Sequence, residues 1–297
     1  MDDAARHAFF DEIVGRFPAI KTREFLLAAG GRKTARTEVP ERELHAFVAL
    51  MERHGLYVAI HDRKYVHAPD FAKGGWSNQY GIELALESPH EGYLMVYIAA
   101  SAEDALRAMR AEHSQRDDEF GELLGIPACC RKSYIERIEA ASSKQNDYLP
   151  LVLDGTPGSQ PFPYLNNIGA QYFDYCLLSF YPCSFACQEA ARVAWDSYEY
   201  LAKFSSEWAK KFLARHRSTI LYTEYEGVYL LEQDAFRDGW LHYHPEHIKG
   251  TINGLLFQCL GEGDRLQITG PHRAVIAHGS RFIQELQMPD LCVMVFA

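Results

Sequence analysis

Two stretches decide how the middle of this chain folds: Leu124-Gly125-Ile126-Pro127-Ala128-Cys129-Cys130-Arg131 and Phe180-Tyr181-Pro182-Cys183-Ser184-Phe185-Ala186-Cys187. Each sets a proline just ahead of cysteine and leads into a helical pattern. Proline suits a helix start because its missing N–H would go unpaired there anyway. The spacing therefore predicts two helix starts, with Cys129 and Cys130 in the first turn of one and Cys183 in the first turn of the other. Cys183 and Cys187, four apart, are expected on one face of the second helix. The stripe Ala191, Ala194, Tyr198, Leu201, Trp208 and Phe212 continues that face and is expected to meet the core.

Outward from these motifs the chain divides into three regions. Before them, residues 2–17 and 40–54 have helical periodicity, and Gly55 stands where a C-cap is expected. Leu56–His61 and Arg63–His67 read as short strands joined at Asp62, and Tyr93–Ala99 as a buried strand. Ser101 with Asp104 forms a capping signal for a helix over the acidic stretch that follows, where seven acidic residues between Ser101 and Glu122 face three basic ones. Residues 142–163 read as a long irregular connection, Asn167–Ser179 as helix, and about 182–216 as the longest periodic segment. Beyond Arg217, short runs such as Thr219–Tyr222, Val228–Leu231 and Arg265–Ile268 alternate with Gly and Asp turns around one helix near 248–260. The expected class is α+β: a mixed N-terminal region (1–92), a central helical region with the cysteine motifs (93–216), and a small β-rich unit (217–297).

Composition limits the function. Among 297 residues, 30 Lys+Arg face 40 Asp+Glu, a formal charge of −10, which disfavours bulk attraction to nucleic acid or anionic membrane. Five basic residues gather between Lys203 and Arg217, where cations near a helix end complement its dipole. No apolar run reaches the length of a membrane span, the start of the chain is acidic where a secretion signal would be basic, and a cytoplasmic protein is expected. No Walker loop, Gly-x-Gly-x-x-Gly, Gly-x-Ser-x-Gly or His-Glu-x-x-His pattern occurs, so no catalytic residue is named by motif.

Seven cysteines in such a chain argue against a disulfide framework. Cys176, Cys259 and Cys292 lie in apolar runs where burial accounts for them. Cys129, Cys130, Cys183 and Cys187 admit three readings: a metal or iron–sulfur site, a catalytic or redox thiol without metal, or buried small side chains. Unpaired N–H groups and the positive dipole end at two helix starts favour bound negative charge, and a thiolate-ligated cluster carries such charge. Cys130 leads the inward stripe Tyr134, Ile138 and Ala141, while Cys129 is rotated toward a more polar line.

These motifs resemble those of a poorly characterised prokaryotic family with an L-G-x-P-x-C-C segment and an H-P-C-S-x-x-C segment, over about residues 95–270. Tyr181 stands where the family pattern has histidine. The resemblance implies a cysteine-based metal centre and supplies no reaction. The reading that follows is a metalloenzyme with an iron–sulfur centre, 4Fe-4S in the first instance, holding Cys129, Cys130, Cys183 and Cys187 and acting on a small molecule through an open metal position. The alternative is a non-enzymatic binding protein with buried or zinc-holding cysteines. Trp76, Ser77 and Asn78 in a glycine-rich loop, with the amides of Asn166 and Asn167, are candidate substrate walls. The His242, His244 and His247 run reads as a polar strand end and turn.

Overall fold

The computed structural model describes residues 3–16, 34–66, 82–142, 148–154, 156, 162–166, 176–223, 225–232 and 235–296. Within them the fold is α+β, with antiparallel sheets at both ends of the chain and helices between.

The first sheet has the order β1 (Thr34–Pro40), β4 (Tyr93–Ala99), β2 (Tyr57–Val66), β3 (Ile82–Ala85). Its inner strand, β4, is a continuous apolar run that is buried from Leu94 to Ala99, as a strand covered on both faces must be. One face meets α1 (Asp3–Arg16) and α2 (Leu44–Arg53) through Phe9, Ile13, Phe47, Leu50 and Met51. The other meets α3 (Ala102–His113), whose small residues Ala105, Ala108 and Ala111 let the helix lie close on Met95 and Tyr97. The sheet thus draws strands from both sides of residue 92. Strand β1 has no apolar run to announce it, and its place is decided by full register against β4, from Thr34 opposite Ala99 to Pro40 opposite Tyr93.

Two expected strands around Asp62 are one strand with an irregularity: pairing to β4 shifts register between Ile60 and Lys64. Such a bulge turns the strand without ending it. It carries Lys64, whose side chain is 1% exposed and whose ammonium is held by Glu41 at 2.7 Å and the Ser88 carbonyl at 2.8 Å.

Between the sheets run α4 (Asp117–Leu123), α5 (Ala128–Glu136), α6 (Ile138–Ser142) and α7 (Leu149–Asp154). The segment 142–163 is therefore not wholly irregular; α7 lies within it and a 3-10 turn over Pro163–Leu165 begins at its end. Of the helix expected over Asn167–Ser179, residues 176–179 are not helical and the rest lie outside the described residues. The long periodic segment is two helices, α8 (Gln188–Phe204) and α9 (Ser206–His216). Ser205 separates them because its extended backbone ends the first, while its hydroxyl accepts the Trp208 N–H and starts the second. Their apolar faces form one core with Ile220, Tyr222, Val228, Leu230, Met294 and Phe296.

Those last residues belong to a sheet ordered β13 (Cys292–Met294), β5 (Thr219–Tyr222), β6 (Val228–Leu231), β9 (Ile248–Gly250). A third sheet follows the order β12 (Arg281–Gln287), β11 (Arg273–His278), β10 (Arg265–Gly270), β8 (Trp240–His242), β7 (Ala235–Arg237). Helix α10 (Leu255–Glu262) packs Leu256 and Leu260 into the core shared with both. The helix expected from residue 248 begins at Leu255, because Ile248–Gly250 pairs with β6.

Candidate metal centre

The cysteine site begins with the way α4 ends. The Gly125 N–H reaches the Glu122 carbonyl at 3.0 Å and the Ile126 N–H reaches the Gly121 carbonyl at 2.9 Å, the paired bonds of a Schellman ending. It requires the left-handed backbone that Gly125 supplies, with φ at 72°. The chain is thereby turned at once into Pro127, which caps α5 with φ −55° and ψ 143°. Cys129 and Cys130 fall in the first turn of α5, as the motif predicts.

The second motif folds differently from its expected helix. Cys183 is not helical; residues 183–187 make a turn in which the Cys187 N–H bonds the Ser184 carbonyl at 3.1 Å, and α8 starts only at Gln188. Cys187 is the N-cap, and its sulfur accepts the Ala190 N–H at 3.4 Å, taking the part that serine or aspartate usually plays. The turn is anchored from both sides. Phe185 is fully buried and its N–H meets Thr156 Oγ1 at 2.8 Å, while Arg137 Nη1 donates to the Cys183 carbonyl at 3.2 Å.

These two anchored segments bring four sulfurs together. Cys129 Sγ lies 3.9 Å from Cys130 Sγ and 3.7 Å from Cys187 Sγ, and Cys130 and Cys187 are 3.8 Å apart. Cys183 completes the group, all four sulfurs lying within 4.8 Å of one another. The Cys183 N–H donates to Cys130 Sγ at 3.4 Å. Cys130 and Cys187 are buried, Cys183 is half-buried and Cys129 is exposed.

The protonation behaviour follows from this crowding. The hydrogen bond from Cys130 holds Cys187 down at about 5, helped by the Ala190 N–H. The same bond, with burial, drives Cys130 far above the usual thiol range, and burial with the Cys187 contact pushes Cys183 up to about 11. Four thiolates this close repel one another in a poorly solvated place. A cation among them removes that penalty, and the four residues stand close enough to hold a metal ion.

Cys176, Cys259 and Cys292 are not in the group. Asn166 is fully buried, and its Nδ2 donates to the His216 and Ser218 carbonyls at 3.1 Å each, so both amide hydrogens close the C-terminal end of α9. Trp76, Ser77, Asn78 and Asn167 lie outside the described residues. His244 and His247 lie at the turn after β8, their rings 5.5 Å apart.

Two features escaped the sequence. His61 and His113, 52 positions apart, meet at 3.5 Å between Nε2 and Nδ1, with Asp62 beside them. His61 Nδ1 already accepts the Arg63 N–H at 3.2 Å. No local spacing announces this group, because β2 and the end of α3 supply it separately. The second feature is a cleft of about 280 Å³ beside the sulfurs, with Cys130 in its wall. Arg36 of β1 and Glu112 of α3 close one side, Arg131 and Tyr134 of α5 another, and Tyr181 approaches from the second motif.

Residues 103–210, which include all four clustered cysteines, match a family described as a protein of unknown function (DUF483). No curated protein and no solved structure matches the chain. No helix among the described residues is long and apolar enough to cross a membrane.

Proposed function

We propose that Cys129, Cys130, Cys183 and Cys187 bind one tetrahedral metal ion, zinc by the softness of four thiolates, and that this ion staples together the wall of a small-molecule site. The sulfur spacing carries this reading. Zinc–sulfur bonds of about 2.3 Å directed to tetrahedral corners place sulfurs about 3.8 Å apart; Cys129, Cys130 and Cys187 stand 3.7, 3.8 and 3.9 Å from one another, with Cys183 within 4.8 Å of each. A four-iron cluster attaches each cysteine to a different iron, so its thiolate sulfurs stand roughly 6 Å apart. The spacing therefore favours one ion over the 4Fe-4S centre that the motifs suggest. Four protein ligands complete a tetrahedron, as in structural sites. The N–H groups of Cys183 and Ala190 aimed at sulfur support thiolates in that role.

The exposure of Cys129 favours a second reading, an enzyme. The ligand that meets solvent is the one a substrate can displace, leaving three thiolates and an open Lewis-acid position.

Anaerobic purification with metal and sulfide analysis tests the assignment. Zinc at one per chain without sulfide is the expected result; iron with matching sulfide, or no metal, overturns it. Serine variants then separate structure from catalysis. Cys130→Ser, Cys183→Ser and Cys187→Ser are expected to cut metal occupancy about tenfold or more, while Cys176→Ser, Cys259→Ser and Cys292→Ser leave it whole. Cys129→Ser falls with the first set if the ion is purely a staple, and retains metal if that position is exchangeable.

A further inference from the structure

The cleft beside Cys130 has an uneven charge inventory. Arg36 is committed to Glu112 at 2.8 Å, and Glu112 also accepts the Tyr97 hydroxyl at 2.7 Å. Arg131 is committed to Asp118 and to the Ile126 carbonyl, both at 2.8 Å. Its stem runs against Gly121, where a Cβ would come within 2.7 Å of it, so the guanidinium is held along the floor rather than free to swing. Both cations of the lining are therefore spoken for. Asp117, the first residue of α4, is the exception: among the described residues no hydrogen bond or ion pair engages its carboxylate.

The other walls are aromatic. Phe120 lines the cleft one turn along from Asp117, and Tyr134 and Tyr181 face it from α5 and the second cysteine motif. Tyr134 stacks on Tyr148 at 4.8 Å, and Tyr148 on Tyr181 at 5.4 Å, which makes the ring surface one continuous block. Electron-rich ring faces around an uncompensated carboxylate attract a positive group that carries its own apolar body.

We propose that this cleft binds a small organic cation, an ammonium group on a compact apolar skeleton, with Asp117 as counter-ion and Phe120, Tyr134 and Tyr181 as walls. The ordinary carboxylate of Asp117 is disfavoured in the empty cleft by burial and then by Glu112, and a bound ammonium relieves both. Four thiolates around a divalent ion add net negative charge behind Cys130. To that extent the inference rests on the metal reading, while Asp117 and the rings carry it without that contribution.

Three probes of one skeleton test the proposal: benzylammonium, benzyl alcohol and benzoate, titrated calorimetrically into the full chain at neutral pH, with metal content measured on the same sample. Benzylammonium is expected to bind with a dissociation constant of about 1 mM or tighter, ahead of the alcohol, with benzoate silent. Asp117→Asn is expected to weaken benzylammonium about tenfold without changing metal content. Tyr134→Phe should keep the affinity and Tyr134→Ala lose it, so a folding defect in one variant does not decide the matter. Benzoate binding better than benzylammonium, equal affinity in Asp117→Asn, or no binding of benzylammonium overturns the cation site. Full metal with no ammonium binding would overturn this inference alone, and ammonium binding without metal would overturn only the staple.

Discussion

Cys187 ends a turn, caps a helix and belongs to a sulfur cluster, all with one side chain. Serine preserves the cap, since a hydroxyl accepts the Ala190 N–H as well as a thiolate does, yet it is a poor ligand for a soft metal site. That separation makes Cys187→Ser informative about metal rather than about helix α8. Asp117 presents the opposite case, a residue whose ionisation is disfavoured by its surroundings. Burial first, then the Glu112 carboxylate, raise its pKa above the ordinary carboxylate value. The folded chain therefore holds that proton more tightly than the unfolded chain, and its contribution to stability is present at acid pH and lost as pH rises through the raised pKa. Asp117→Asn removes that loss. Chemical denaturation across pH 3–8 is expected to show the variant gaining on the parent chain as pH rises, with the difference closing in acid; a difference independent of pH would contradict the assignment.

At the scale of elements, the site is made by helix ends. Gly125 turns α4 into α5 within two residues, and Pro127 starts α5 where the cysteines are needed. A Cβ at φ 72° strains the backbone by about 1–2 kcal/mol. Gly125→Ala is accordingly expected to lower unfolding free energy by about 1 kcal/mol or more and to reduce metal affinity, read by competition with a chromophoric chelator, because the strained turn feeds directly into the cysteine-bearing helix. Pro127 marks the start of α5 in the sequence alone, whereas Pro182 signals a helix that begins only at Gln188. The helical reading of Cys183 failed for a reason visible in the same residues. Phe185 is drawn wholly into the core and Thr156 takes its N–H, which leaves the segment too tightly folded back for a regular first turn, and Cys187 caps the helix that follows. Strand β1 escaped notice because Thr34–Pro40 has little apolar character of its own; pairing with β4 supplies what its composition does not.

Across the whole molecule, the sulfur cluster ties α5 to the start of α8, segments more than fifty positions apart, and both cysteine pairs touch the core that α8 and α9 share with β5, β6 and β13. An ion bound only in the folded arrangement stabilises it by mass action. Chelation is expected to lower the melting temperature on the order of 10 °C. Hydrogen exchange should then rise in 128–136 and 183–190, while β1, β2 and β4 keep their protection because their core is separate. Unchanged exchange in both regions would show that the cysteines do not carry the packing between them.

What the chain dictates locally was open to reading before any fold: the α+β pattern, the capped helix after Ser101, most strands of the C-terminal region, and the split of seven cysteines into four in two motifs and three in apolar runs. Periodicity and capping act over a few residues, so a linear sequence carries them. The sulfur separations, the cleft beside Cys130, the unpaired carboxylate of Asp117 and the meeting of His61 with His113 depend on distances between segments far apart in the chain. Core packing sets those distances, and with them whether four sulfurs from distant segments stand close enough to hold a metal ion.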